Sequence, residues 1–176
     1  MSVFLQPIYT QTVGAGGASS ITFNNIPQAF TDLKVVISAR GSNANIYTQF
    51  YMYINGDTSS TNYSGTSVQG TGTSAASYRE SNMSRGSAGL IEGSTATSST
   101  FGSSEIYIPN YSGSNYKSWM QDDVVENNAT AAFLDIYANL WRNTAAITTL
   151  QFNAITGPTI LQYSTFSLYG VLRNGI

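Results

Sequence analysis

Four segments of this chain alternate their side chains with a period of two, and that rhythm limits the fold more than any other feature. Leu33 to Arg40 sets Leu33, Val35, Ile37 and Ala39 on one face. Ile46 to Ile54 sets Ile46, Thr48, Phe50, Met52 and Ile54 on one face, and Tyr47, Gln49, Tyr51 and Tyr53 on the other. Ala146 to Ala154 separates Thr148, Leu150 and Phe152 from Thr149, Gln151 and Asn153. Ser164 to Leu172 separates Phe166, Leu168 and Gly170 from Thr165, Ser167 and Tyr169. Successive side chains of a strand point to opposite faces, so this alternation, rich in β-branched and aromatic residues, marks half-buried strands.

Weaker strand signals lie around Val3–Tyr9, Ser20–Phe23, Ala76–Glu80, Glu105–Pro109, Tyr116–Val124 and Ala131–Tyr137, for eight to ten strands in all. Between them sit turn signals: Gly14 to Gly17, Asn24-Asn25, Gly41-Ser42-Asn43, Asn55-Gly56-Asp57, Asn110 to Asn115, Asn127-Asn128 and Gly157-Pro158. Asn and Gly tolerate positive φ and close hairpins at little cost. One stretch, Asn127 to Asn143, also reads as a helix, because Ala131, Leu134, Ala138 and Trp141 recur at three-to-four spacing. Strand is preferred there because the rest of the chain is β. The expected fold is all-β: one antiparallel β-sandwich of jelly-roll type over residues 1–176, with 1–17 as an N-terminal arm. Its expected core is Leu33, Val35, Ile37, Phe50, Met52, Leu150, Phe152, Phe166 and Leu168.

Composition narrows function. Ser, Thr, Asn and Gly make up 75 of the 176 residues, and neither His nor Cys is present. No imidazole can act as a base and no thiol as a nucleophile, and the soft ligands of zinc or iron–sulfur sites are missing. Aromatic residues at 12% argue against disorder. The seven Lys and Arg are scattered, with a net charge of −2, so electrostatic binding of nucleic acid is not expected. The N-terminus has no basic region followed by an apolar one, and no apolar run reaches the ~20 residues of a membrane helix. A chain without Cys suits synthesis in a reducing cytoplasm.

Two segments, Thr58 to Ala76 and Ser81 to Ser104, are mostly Ser, Thr, Gly and Asn. They read either as solvated loops or as contact segments that order against a partner. Asp122, Asp123, Glu126 and Asp135 form the one acidic cluster. Paired carboxylates can hydrolyse a glycosidic bond, but neighbours in a strand face opposite ways, so Asp122 and Asp123 cannot share a cleft. A calcium loop would need six to eight oxygens at regular spacing, and none is seen. Tyr47, Tyr51, Tyr53, Tyr63, Tyr107, Tyr111 and Tyr116 could pack the sandwich, form a protein interface or build a sugar-stacking platform. Arg79-Glu80 and Arg85 read as solvated charges. No catalytic, cofactor-binding or metal-binding residue is assigned.

Four patches carry a resemblance. The first is Ile21-Thr22-Phe23-Asn24-Asn25-Ile26-Pro27-Gln28-Ala29-Phe30-Thr31-Asp32-Leu33. The second is Ile54-Asn55-Gly56-Asp57 with Asn62-Tyr63-Ser64, and the third is Ile106-Tyr107-Ile108-Pro109-Asn110-Tyr111 with Lys117-Ser118-Trp119. The fourth runs from Leu140-Trp141-Arg142-Asn143 through Leu150, with Ser164 to Val171. In this order they resemble a family of small β-rich tailed-phage virion proteins, described as head decoration, head fibre or tail fibre modules. The resemblance implies a jelly-roll-like sandwich without cofactor or catalysis, assembled as a symmetric oligomer on the virion. Fibre members carry the module behind a stalk, whereas only about twenty residues precede the first motif here. The expectation is therefore a capsid decoration (cement) protein that binds the major capsid protein and itself, as a trimer first and a dimer second. The two polar segments or Met1–Gly17 would reach across the shell. The alternative is a tail-fibre or head-fibre module that binds a host glycan.

Overall fold

The computed structural model describes residues 3–128, 131–154 and 159–173. Twelve strands form two antiparallel sheets: β1 (Val3–Thr12), β2 (Ser20–Phe23), β3 (Asp32–Ala39), β4 (Tyr47–Ile54), β5 (Tyr63–Gly70), β6 (Ala75–Met83), β7 (Gly86–Glu92), β8 (Gly102–Pro109), β9 (Lys117–Val125), β10 (Phe133–Trp141), β11 (Leu150–Ala154) and β12 (Thr165–Arg173). The wide sheet runs β1-β12-β3-β8-β9-β10-β5-β6 and the narrow one β2-β11-β4-β7. Among the described residues there is no helix, and Asn127 to Asn143 contains strand β10 as preferred. The Gly157-Pro158 turn lies outside the described residues.

Setting aside β5, β6, β9 and β10 leaves two sheets of four. In that frame β1 pairs with β12, β2 with β11, β3 with β8 and β4 with β7. First meets last and each later strand nests inside, as in a long hairpin rolled over on itself, a pairing order consistent with a jelly roll. Two hairpins, β5–β6 and β9–β10, are inserted into this frame and pair with each other through β5 and β10. They extend the wide sheet beyond β8 and leave four strands to cover eight.

All nine expected core residues are fully buried, and Ile21, Ile54, Ile106, Ile108, Trp141 and Ile160 join them. Phe50, Phe152 and Phe166 meet with ring centroids 5.7 to 6.3 Å apart. Burying side chains of this size is worth roughly 1.5–3 kcal/mol each. Gly170 lies under the ring of Phe30, and a Cβ there would come within 2.3 Å of it.

Three expectations need correction. Residues 3–12 form edge strand β1, as the Val3–Tyr9 signal indicated, and are not part of a free arm; they pair with β12 from Val3–Arg173 to Thr12–Thr165, with a register shift between Pro7 and Tyr9. Thr58 to Ala76 is not a loop, since it holds β5 and the start of β6, and Ser81 to Ser104 holds the end of β6, all of β7 and the start of β8. The remaining turn, residues 94–100, is held from within the chain. The Arg40 guanidinium donates to the carbonyls of Ser94, Ala96, Thr97 and Thr100 at 2.8–3.2 Å. A buried guanidinium with several acceptors orders a Ser/Thr-rich turn without an apolar contact.

The four motif patches meet at one end of the sandwich. Asn55, at φ 52°, opens the β4–β5 turn, and its side chain accepts from the Thr148 and Thr149 N–H groups at 2.8 and 3.0 Å and donates to the Ala146 carbonyl at 2.8 Å. Asp57 accepts from Trp141 Nε1 at 2.7 Å, Asn62 Nδ2 at 2.8 Å and the Ser59 N–H at 2.9 Å. Burial pushes the Asp57 carboxyl up, but these donors outweigh it and hold it at about 2. The Ile26 N–H donates to the Thr148 carbonyl, Gln28 Nε2 to the Ile147 carbonyl and the Tyr111 hydroxyl to the Pro27 carbonyl. The buried Lys117 ammonium donates to the carbonyls of Gly113, Asn115 and Thr144.

Asn55→Ala should cost about 3 kcal/mol in urea unfolding, since it strips three partners from the 146–149 segment and strains a positive φ. A loss below about 1 kcal/mol would show that the end is held elsewhere. Arg40→Met should open residues 94–100 to a nonspecific protease while the sandwich persists, and unchanged cleavage would refute the pinning role.

Candidate functional site

The inner face of the inserted strands reverses the usual polarity. On β9, Trp119, Gln121, Asp123 and Val125 point inward and are buried, while Met120, Asp122 and Val124 point out. On β10, Asp135 and Asn139 are buried while Leu134 and Ile136 are exposed. Asp122 and Asp123 thus face opposite ways, as their adjacency requires. Glu126 is exposed. Asp135, however, sits directly across from Asp123 in the β9–β10 register, and both carboxyls are buried.

These polar groups serve the free edge of the narrow sheet. β7 is that edge and packs over β8, β9 and β10. An edge strand presents unpaired N–H and C=O groups, which are costly to bury unsatisfied. Here Asp123 Oδ2 accepts from the Leu90 N–H at 3.0 Å, Ser104 Oγ donates to the Ala88 carbonyl at 3.1 Å and Asn139 Oδ1 accepts from the Ser87 N–H at 3.3 Å. The approach needs a β-bulge, where the β4–β7 register skips Ala88, and Gly89 at φ 100°. A Cβ on Gly89 would lie 2.9 Å from Ser104 Oγ and 3.0 Å from Asp123.

Burial first, and then the Asp135 charge, pushes the Asp123 carboxyl up to about 7, against the opposing pull of the Leu90 N–H and Gln121. Asp135 is also raised, by burial. The pair is sealed beneath β7, so a polysaccharide cannot reach it. Among the described residues no group of three or more His, Cys, Asp or Glu is placed to hold a metal.

The seven candidate tyrosines do not share one surface. Tyr63 and Tyr111 are core residues: the Tyr63 hydroxyl accepts from the Ile54 N–H and donates to the Asp57 carbonyl. Tyr107 lies on the outer face of the wide sheet and donates to Asp32. Tyr116 is exposed beside β9. Tyr47, Tyr51 and Tyr53 share the outer face of β4, where Arg85 covers the Tyr51 ring at 4.1 Å and the Tyr51 hydroxyl donates to Gln49 at 2.7 Å. Arg85 is therefore partly engaged, whereas Arg79 lies on the exposed β6 and donates to Thr66 at 3.0 Å.

Beside this face runs an open groove of about 700 Å³, lined by Asn43, Asn45, Tyr47, Thr48, Gln49 and Thr95 among others. Tyr47 is braced edge-on by Phe133 at 4.5 Å. Amides beside a braced aromatic ring are suited to a hydroxyl-rich ligand. The sequence marked Tyr47 and the Gly41-Ser42-Asn43 turn separately, and only the fold joins them to Thr95.

Comparison with protein-family models, with curated proteins and with solved structures finds no match. Among the described residues no helix is long and apolar enough to cross a membrane.

Folding favours the protonated Asp123 carboxyl, so this part of the stability is complete below the unfolded value of 3.8 and is lost as pH rises through about 7. The melting temperature should fall between pH 5 and pH 8 in consequence. Asp123→Asn should flatten that fall and be at least as stable as wild type at pH 8. The Asn amide finds an acceptor in Gln121 Oε1, which has no partner in the wild type. A variant with the wild-type pH profile would assign the titration to another group.

Proposed function

We propose that this chain is a non-enzymatic structural protein of a tailed-phage virion, and within that class a capsid decoration (cement) protein stabilising the head. The observation that carries the reading is the convergence of the four motif patches into one hydrogen-bonded knot. Asn55, Asp57, Trp141, Ile147 and Lys117 all act there on the fold itself. The buried ionisable groups Arg40, Lys117, Asp123 and Asp135 are likewise committed to backbone or neighbouring side chains. What the chain offers a partner is two exposed sheet faces. Contact with the major capsid protein therefore falls to these faces and not to an arm or to disordered loops, because β1, β5, β6 and β7 occupy those segments. In this reading the protein is made in the host cytoplasm, acts on the virion and self-associates.

The groove beside Tyr47 favours a second reading, a tail-fibre or head-fibre module that binds a host glycan. Copy number separates the two. A stained gel of purified virions should show hundreds of copies relative to the major capsid protein, and a few tens or fewer would favour the fibre reading. Under the decoration reading Tyr47→Ala leaves host adsorption intact, whereas lost adsorption with unchanged capsid heat stability would transfer the assignment to glycan binding. Turnover of host polysaccharide that vanished in Asp122→Ala would overturn the non-enzymatic reading.

A further inference from the structure

The reversed polarity of the inserted strands leaves a patch on their outer face. Val68, Met120, Val124, Leu134 and Ile136 are each 40% to 58% exposed. They are contiguous by register: Leu134 lies opposite Val124, Ile136 opposite Val68, and Ala138 opposite Met120. Half-exposed side chains in this number reach the ~300–600 Å² of the largest apolar patch on a typical monomer. Exposed apolar residues scattered singly need no explanation, but five adjacent ones on the same three strands that turn Ser67, Gln121, Asp123 and Asp135 inward do.

We propose that this outer face of β9, β10 and β5 is a two-fold self-association surface, packed against the same face of a second copy. Two arguments select a second copy. The first is size. Five strands centred on β10, from β8 to β6, at ~4.8 Å and six residues of each at ~3.4 Å give a footprint of roughly 400–500 Å², below the ~800 Å² per partner of a standard interface and within the range of a small reversible one.

The second is charge. Arg79 lies on β6, two strands to one side of β10. Asp122 on β9 lies to the other side, opposite Glu105 of β8, whose carboxylate is already paired with Lys34 at 2.7 Å. A two-fold axis along β10, midway between two stacked sheets, exchanges these flanks. It sets Arg79 of each copy over the Asp122 flank of the other, with the apolar side chains between them. An isologous interface must be complementary to itself in this way. Sheets stacked face to face lie about 10 Å apart with strands nearly aligned, which these side chains can fill. The geometry yields a dimer, or an even-numbered assembly of dimers, in place of the trimer expected first.

The inference rests on the self-association part of the proposed function and not on the virion location. Light scattering and sedimentation of the full chain at micromolar concentration test it. The wild type should be an even-numbered oligomer. Ile136→Asp, which places an unpaired charge at the centre, should weaken association at least about a hundredfold and release a monomer with an unchanged β spectrum and a cooperative melt that no longer depends on protein concentration. Asp122→Arg and Arg79→Asp should each weaken association, and the two together should restore part of it. That pair of substitutions decides the matter if Ile136→Asp fails to fold. A monomeric wild type would overturn both this surface and the self-association reading. An oligomer that survives Ile136→Asp and the single charge reversals, or one with an odd number of copies, would overturn the surface alone. A monomer that needs Ile136 for incorporation into virions would assign the face to the capsid protein.

Discussion

A four-stranded sheet laid over an eight-stranded one must bury its own edge, and much of this structure is organised around that constraint. β7 cannot leave its outward backbone groups to water, because β8, β9 and β10 lie directly beneath it. Nor does another strand pair with them. The wide sheet answers with side chains: Asp123, Ser104 and Asn139 take the places that ladder partners would fill. The Ala88 bulge and Gly89 bring the edge close enough for those contacts. A carboxyl that caps an edge must itself be desolvated, which is why Asp123 titrates near neutrality.

The same economy recurs throughout the fold. A chain with few charges and many Ser, Thr and Asn builds its order from hydrogen bonds of polar side chains to backbone. Arg40 and Lys117 act as multi-donor pins for turns that carry little apolar surface. Asn55 and Asp57 tie the β4–β5 turn to segments about ninety residues away in sequence. Each bond is worth only about 1 kcal/mol net, yet leaving its buried partner unsatisfied costs more, so the knot is specific as well as stabilising.

Turning polar groups inward on β9 and β10 has a consequence on the other side of the sheet. Period-2 geometry sends whatever is not inside to the outside, so Met120, Val124, Leu134 and Ile136 face solvent. The protein thus presents two chemically different faces, an apolar one on the wide sheet and an amide- and tyrosine-lined groove beside the narrow one.

The sequence by itself determined the strands that alternate in the ordinary sense. β3, β4, β11 and β12, with their core residues from Leu33 to Leu168, were legible because one face is apolar and the other polar. The Asn55-Gly56-Asp57 turn was legible for its conformational chemistry. β5 and β7 were not: β7 is buried on nearly its whole length by small residues, and β5 turns Gly65, Ser67 and Gln69 toward a polar interior, so neither shows contrast between its faces. Residue adjacency also ruled out an Asp122–Asp123 cleft correctly, but could not bring Asp135 beside Asp123, since that pairing depends on a hairpin register. Which side of β9 faces water, which tyrosines are core, and how Tyr47 comes to stand beside Thr95 were decided only by the tertiary structure. A strand's period tells which residues share a face, and only the packing of sheet on sheet decides which face is covered.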